Sequence, residues 1–387
     1  MQKTNENEIF QNEPKKVIVM DNGTTKTKIG FAGDDSPTAE FSTILGRPVR
    51  TDYPYTTRLD LYRCGDAFES CRGLLTKVLP VQKGIITDWE HMEIFWEASF
   101  KYDLRIQIEE HPLILTEKPW NRKKNKEITL EYFFEFFHVP KFLLVDSGRL
   151  SLLSFGQRSG TVIEIGEQNF HVSIYNNTSY SPFAFVESEI SGREATEHFL
   201  KLLSNRSFFL TSFAERQIAA DMKNFCSVSL DFAKDFSNEK KAKIIYEFPD
   251  GQEIDLYEEV FLVPEIFFQP SLIGLDSLSV QDAFFELEKK TEKENFFTNW
   301  GKSKKEIFKK VYLTGGSTMF PNFAERLQKE INNFGNEFET EVISTPERKY
   351  SPWIGGSILG SLKEYEDLFI NKKEYEEFGD SIIYQKF

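Results

Sequence analysis

The sequence predicts an α/β fold of two lobes that face each other across a cleft, and three stretches predict it. Residues 17–33 read V-I-V-M-D-N-G-T-T-K-T-K-I-G-F-A-G: an apolar run suited to a buried strand, a turn at Asp21-Asn22-Gly23, and a returning strand rich in Thr. Residues 161–175, T-V-I-E-I-G-E-Q-N-F-H-V-S-I-Y, repeat that plan, with Glu164 lying 143 positions after Asp21. Two acid-tipped hairpins at that separation imply a duplicated unit, one copy per lobe. Residues 311–321, V-Y-L-T-G-G-S-T-M-F-P, then run an apolar strand into Gly315-Gly316 and a helix start containing Ser317.

Each stretch carries chemistry. At the tip of the first hairpin, Gly23, Thr24 and Thr25 let backbone N–H groups and hydroxyls close on a phosphate, and Lys28 joins Lys26 to add positive charge. Asp21, at the end of a buried strand, is placed to hold a hydrated divalent cation. In the second hairpin the acid Glu164 precedes Gly166 and a polar turn, and the returning strand alternates around His171 and Ser173. The glycine pair before Ser317 reads as a backbone-lined anion or base site at a helix N-terminus.

These three elements resemble the two phosphate loops and the adenosine loop of the actin family. The resemblance runs nearly the length of the chain in seven collinear blocks: G-F-A-G-D-D-S-P-T-A (30–39), G-R-P (46–48), K-G-I-I-T-D-W (83–89), E-E-H-P-L-I-L-T-E (109–117), A-E-R-Q-I (214–218), F-Q-P-S-L-I-G (268–274) and P-E-R-K-Y-S-P-W-I-G-G-S-I-L-G-S-L (346–362). It implies an actin-like two-lobed ATPase fold of duplicated ribonuclease H-like domains, four subdomains around a nucleotide cleft. The first lobe would span 1–154, with 350–387 returning to it and 43–79 as its small outer subdomain. The second would span 155–349, with 191–279 as its outer subdomain.

The resemblance implies ATP or ADP as cofactor with Mg or Ca, held through water by Asp21 and Glu164. The phosphates would meet Gly23, Thr24, Thr25, Lys28, Gly166, Glu167 and Gln168. Base and ribose would meet Gly192, Lys223, Asn224, Gly315, Gly316, Ser317, Met319 and Lys349. His171 matches the family's histidine near the attacking water. Several positions depart from the pattern. Ser147 stands where the family has a water-orienting glutamine and is too short for that task, which leaves Asp146 beside it as an alternative base. Glu164 and Glu167 each replace an aspartate, while Gln168 and Thr25 replace glycines and restrict backbone approach to the phosphates. Asn224 replaces a ribose-binding glutamate and can still accept a hydrogen bond. Arg216 is kept, and the family's arginine four residues later is Ala220.

Composition agrees with a two-lobed globular protein. The chain has 387 residues, 40% hydrophobic and 28% charged, with 38 Phe as bulky core material. A net charge of −14 argues against direct nucleic-acid binding and suits basic partners. Three cysteines without a CxxC pair give neither a zinc site nor a disulfide framework, and point to a reducing compartment. The first residues lack a signal-peptide core, and no run of about 18 apolar residues offers a membrane span.

Along the chain, residues 1–15 are polar and longer than the family's usual lead-in. The 49–63 stretch, with Tyr53, Pro54 and Tyr55, corresponds by resemblance to the loop that inserts into the next subunit of a filament, although its tip is aromatic where the family's is rich in glycine and methionine. Thr87-Asp88 caps a helix with a wide apolar face, and residues 131–137, E-Y-F-F-E-F-F, read as another helix of core aromatics. Residues 141–155 read as a strand leading into a helix that crosses between lobes. Leu272, Ile273 and Leu275 correspond to an apolar plug and are expected as an exposed contact patch. The charged segment 283–310 is longer than the family's spacing and reads as an amphipathic helix with an extended loop.

The function implied is an ATP-binding cytoskeletal protein with slow or lost hydrolysis, cytoplasmic or nuclear, whose partners are actin, other actin-related subunits or actin-binding proteins. The alternative is a nuclear actin-related subunit of a chromatin-remodelling complex. A sugar kinase of the same fold is a remote alternative, because no base motif beside a sugar pocket stands out. A heat-shock-type chaperone would need a further peptide-binding domain after the ATPase.

Overall fold

The computed structural model describes residues 15–48, 59, 62–176, 179–237, 243–292, 304–333 and 339–386. Tyr53 and Tyr55, nearly all of the N-terminal extension and the middle of the charged insert lie outside the described residues.

Strands β1 (Ile18–Asn22), β2 (Lys26–Phe31) and β3 (Ala39–Ser42) form an antiparallel meander. A small sheet follows, made by β4 (Leu45–Pro48), β5 (Arg63–Cys64) and β6 (Leu75–Val78), and then a short hairpin, β7 (Val81–Gln82) with β8 (Ile85–Ile86). Strands β9 (Leu113–Glu117) and β10 (Lys141–Asp146) return parallel on the far side of β1. The second lobe repeats the plan. Strands β11 (Gly160–Ile165), β12 (Phe170–Asn176) and β13 (Ser179–Ser188) make an antiparallel meander. A hairpin of β14 (Ile244–Glu247) with β15 (Glu253–Leu256) intervenes, and β16 (Lys310–Thr314) and β17 (Glu341–Ile343) lie parallel beyond β11. A last strand, β18 (Ile370–Asn371), closes the first sheet, so the orders are β18-β10-β9-β1-β2-β3 and β13-β12-β11-β16-β17. In both, the strand carrying the acid is flanked by its own hairpin on one side and a parallel strand on the other.

That position explains the composition of β1 and β11, every residue of which is buried. A central strand covered on both faces is continuously apolar until it reaches the cleft, and only there can it end in Asp21 or Glu164. The aromatic stretches supply the cores as expected. Asp88 caps the helix Trp89–Ala98 by accepting from the His91 N–H at 3.2 Å, and Phe95 and Trp96 are wholly buried. The second aromatic stretch is helical as expected, but as a π-helical turn, Tyr132–Phe136, that continues the α-helix Lys123–Glu131 and is closed by the Phe137 N–H on the Tyr132 carbonyl, five residues back. Phe133, Phe134 and Phe137 are buried, while Phe136 is exposed.

Two helices join the lobes. Ser147–Ser154 leaves β10 with Asp146 as its cap, and Ser351–Ser361 crosses it so closely that a Cβ on Gly355 would lie 1.8 Å from the Leu150 carbonyl oxygen. Glycine is required there by contact rather than by backbone conformation. Trp353, also on the second helix, donates its indole N–H to the Val19 carbonyl at 3.0 Å, which ties the crossing to β1.

Candidate functional site

The ends of β1, β9, β11 and β16 converge on a cavity of about 420 Å³, in the crevice beyond the carboxyl ends of parallel strands where open α/β sheets bind ligands. The first hairpin contributes Asp21, Gly23, Thr24, Thr25, Lys26 and Lys28, and the second contributes Glu164, Gly166, Glu167 and Asn169. Gly315, Gly316, Ser317, Met319 and Phe320 come from the turn after β16; Lys223 and Asn224 from the outer part of the second lobe; and Lys349 from the returning chain. The structure therefore gathers 13 of the 15 residues expected around a nucleotide on one wall. Gln168 and Gly192 stand off it. Gln168 accepts from the Lys83 backbone N–H at 3.3 Å, so it bridges the lobes at the rim. Gly192 sits behind the wall, where a Cβ would come within 2.5 Å of both Ser317 Oγ and Glu167 Oε2.

The wall is held by interlocking turns. Gly166 takes a hydrogen bond on its carbonyl from the Ser317 hydroxyl at 2.8 Å, and from the Gly192 N–H at 3.0 Å, so the second hairpin and the glycine pair move as one piece. Gly315 has φ +98°, a conformation that favours glycine, and its N–H donates to the Arg348 carbonyl beside Lys349. Arg348 returns the tie through Thr318, donating to its carbonyl at 2.7 Å. Ser317 itself lies at the start of a short 3₁₀ helix, Gly316–Thr318, which the α-helix does not directly continue. The helix begins at Phe323, because Pro321 cannot donate to an earlier turn and Asn322 is left-handed, with φ +65°. The glycine pair offers a backbone cradle without a helix dipole behind it.

Positive charge is concentrated on this wall: Lys26, Lys28, Lys118, Lys223 and Lys349 all line it. Lys223 is buried and fixed by the Gly192 carbonyl and the Thr196 hydroxyl, each at 2.9 Å. Lys349 and the Tyr350 hydroxyl both point to Glu40, at 3.4 and 2.7 Å. Burial would raise the Glu40 carboxyl, but those two donors together hold it below its ordinary pKa.

The acids are not bare. Lys28 places its ammonium 3.0 Å from Asp21 Oδ2, and Thr116 donates to Asp21 Oδ1 at 2.8 Å. Burial disfavours the charged lysine, yet Asp21 outweighs that and raises its pKa. Lys118, just past the end of β9, is ion-paired with Glu164 Oε1 and donates to Ser147 Oγ at 3.1 Å. Ser147 in turn donates to Glu164 Oε2 at 2.8 Å, and Asn169 donates to Oε1 at 3.3 Å. Burial alone would push the Glu164 carboxyl up, and the Lys118 ammonium overcomes it to hold the group down at about 2. Sequence reasoning misses Lys118. The family-like block at 109–117 ends one residue before it, and the signal available is a lysine just beyond a strand that ends at the cleft.

The three candidate catalytic groups lie behind this wall. Ser147 is 1% exposed and committed to Glu164 and Lys118. Asp146 caps the helix Ser147–Ser154 through the Gly148 and Arg149 N–H groups and accepts the Tyr175 hydroxyl at 2.6 Å. Burial pushes its carboxyl up to about 6 against those donors, and none of this directs it at the cavity. His171 is wholly buried, pairs in register with Glu164, and presents its ring to Trp120 at 4.9 Å. Neither ring nitrogen has a hydrogen-bond partner, and burial lowers its pKa to about 4, so it is neutral at pH 7. As placed, Ser147 and Asp146 hydrogen-bond within the protein, and the His171 ring is enclosed.

Of the expected contact patch, Leu272 is 40% exposed, whereas Ile273 and Leu275 are half-buried against the core of the second lobe. The patch is one apolar side chain on an anchored turn, because the short helix Pro270–Ile273 turns its other apolar residues inward. Among the described residues no helix is long and apolar enough to cross a membrane. The family model for actin matches residues 12–387. With its duplicated sheets, crossing helices and lysine-rich cleft, the chain belongs to the actin family.

Proposed function

We propose that this chain is an adenine-nucleotide-binding subunit that works by assembling with itself, with actin or within a dedicated complex, its nucleotide acting as a clamp between the lobes. Members of the family generally bind an adenine nucleotide with a divalent cation. The observation that carries the reading is the single wall formed by both hairpins, the glycine pair, Lys223 and Lys349 around a 420 Å³ cavity, a size in the range of about 300–1,000 Å³ usual for ligand pockets. The polyphosphate would lie between the hairpins, beside Lys28 and Lys118. The base would lie against Met319 and Phe320, with Lys223 and Asn224 at the ribose. On this reading the lobes are 1–154 with 350–387, and 155–349.

Hydrolysis is slow or absent. In support, Ser147, at the position of the family's water-orienting glutamine, is committed to Glu164 and Lys118, and Asp146 to a helix cap. The same features suit a subunit of a stable complex, cytoplasmic or nuclear. Mg-ATP at about a hundred times its dissociation constant should raise the melting temperature by several degrees. No rise at millimolar nucleotide would contradict nucleotide binding, and single-turnover phosphate release as fast as that of conventional actin would contradict the loss of hydrolysis.

A further inference from the structure

A divalent cation between the hairpins would rely on Asp21 and Glu164, and the donor set around them does not fit one. All four carboxylate oxygens already accept from the protein: Asp21 Oδ1 from Thr116 and Oδ2 from Lys28, Glu164 Oε1 from Lys118 and Asn169 and Oε2 from Ser147. Among the described residues no group of three or more His, Cys, Asp or Glu could hold a metal ion. The charges are also complete. Two carboxylates face two ammonium groups, all four side chains no more than 13% exposed. A divalent ion placed there would have to displace the Lys28 or Lys118 ammonium from the carboxylate it pairs with, leaving a lysine whose charge is then buried alone.

We propose that Lys118, together with Lys28, supplies the charge a divalent cation would bring, so that the cleft takes a free nucleoside di- or triphosphate and needs no metal ion to hold it. The inference rests on the nucleotide reading above. Lys118 is built for the task. It leaves the C-terminal end of β9, crosses from the first lobe to the second hairpin, and its stem packs against the turn between β7 and β8, where a Cβ on Gly84 would lie 2.7 Å from Lys118 Cγ. The ammonium is thereby held on Glu164 and Ser147, and the side chain lines the cavity. A polyphosphate entering there meets two ammonium groups whose own counter-charges are fixed. Its oxygens can accept hydrogen bonds from these two ammonium groups, and from Lys223 and Lys349 farther along the wall.

The test is the affinity for ATP, measured by titration calorimetry after exhaustive dialysis against EDTA and transfer to metal-free buffer, and again with Mg in excess. The expected result is an affinity without metal within about threefold of that with Mg. Lys118→Ala should lose about tenfold or more in metal-free buffer and recover much of it with Mg, because Glu164 is then free to face a hydrated cation. Lys118→Arg, which keeps the charge, should stay metal-independent. Wild-type protein that binds ATP tightly only with Mg would overturn the inference and leave the nucleotide reading standing. No binding under either condition would overturn both. If Lys118→Ala does not fold, the wild-type pair of titrations still decides.

Discussion

The buried imidazole of His171 stores a pH dependence that can be read without any ligand. Its folded pKa is held at about 4 by burial, below the ordinary value near 6.5. When the pH falls through 6.5, the unfolded chain takes up a proton that the folded chain refuses, so this group's contribution is complete above 6.5 and is lost progressively down to about 4. At pH 5 the loss should be about 2 kcal/mol relative to pH 7.5. Urea unfolding of wild type and His171→Gln at the two pH values checks it: the stability gap between them should close by about that amount, and a gap independent of pH would show that the ring is not buried neutral. The same residue shows how far a sequence can be read. The match of His171 to a family position assigns it to the neighbourhood of the attacking water, and strand register sets it opposite Glu164, but neither says whether a side chain opens to the cleft. Position alone assigns Ser147 and Asp146 to catalysis, and their side chains point to Glu164 and to a helix cap.

Among the elements, the hairpins and the glycine turn are legible because their signals are local: an apolar run, a turn dipeptide and a Thr-rich return fix a strand pair within a dozen residues. What is not legible depends on strands brought together from far apart. Lys118 meets Glu164 only because β9 lies parallel to β1 and ends at the same level as the second hairpin, 46 residues away in sequence. The helix expected at Gly316 is a single 3₁₀ turn there, and the α-helix begins only at Phe323, delayed by Pro321 and left-handed Asn322. The crossing of Ser147–Ser154 over Ser351–Ser361 is a further long-range feature, and its prediction belongs at this scale. Gly355→Ala puts a Cβ into backbone, against the Leu150 carbonyl, and backbone cannot yield as a side chain tip would. The two helices must separate, at a cost of about 3 kcal/mol or more. Chemical denaturation should show that loss, whereas unchanged stability would mean that the helices do not cross this closely.

For the whole molecule, assembly is the property that the cleft is proposed to serve. Leu272 stands out from an anchored turn, while Ile273 and Leu275 hold that turn to the second lobe. Replacing Leu272 alone is therefore the clean probe. Leu272→Asp should weaken co-sedimentation with actin or with copies of the chain and leave the melting temperature within about a degree, as surface substitutions usually do. Co-assembly unaffected by Leu272→Asp would show that this turn is not the contact. A replacement of Ile273 would confound assembly with folding, because its side chain packs against the core.

The central claim is that one wall binds one nucleotide, and Gly316 gives the most direct access to it. Gly316 lines the cavity, is exposed, and a Cβ there would meet nothing within 4 Å. The first carbon of a leucine at this position stands in open space beside the cavity, so the side chain is set to occupy ligand space. Calorimetric titration of ATP into wild type and Gly316→Leu, both with melting temperatures measured in the absence of nucleotide, compares the two directly. The account predicts one ATP bound per wild-type chain, no detectable binding to Gly316→Leu, and equal melting temperatures. Wild-type protein that takes no ATP, or a Gly316→Leu variant that binds it as tightly, would contradict the claim.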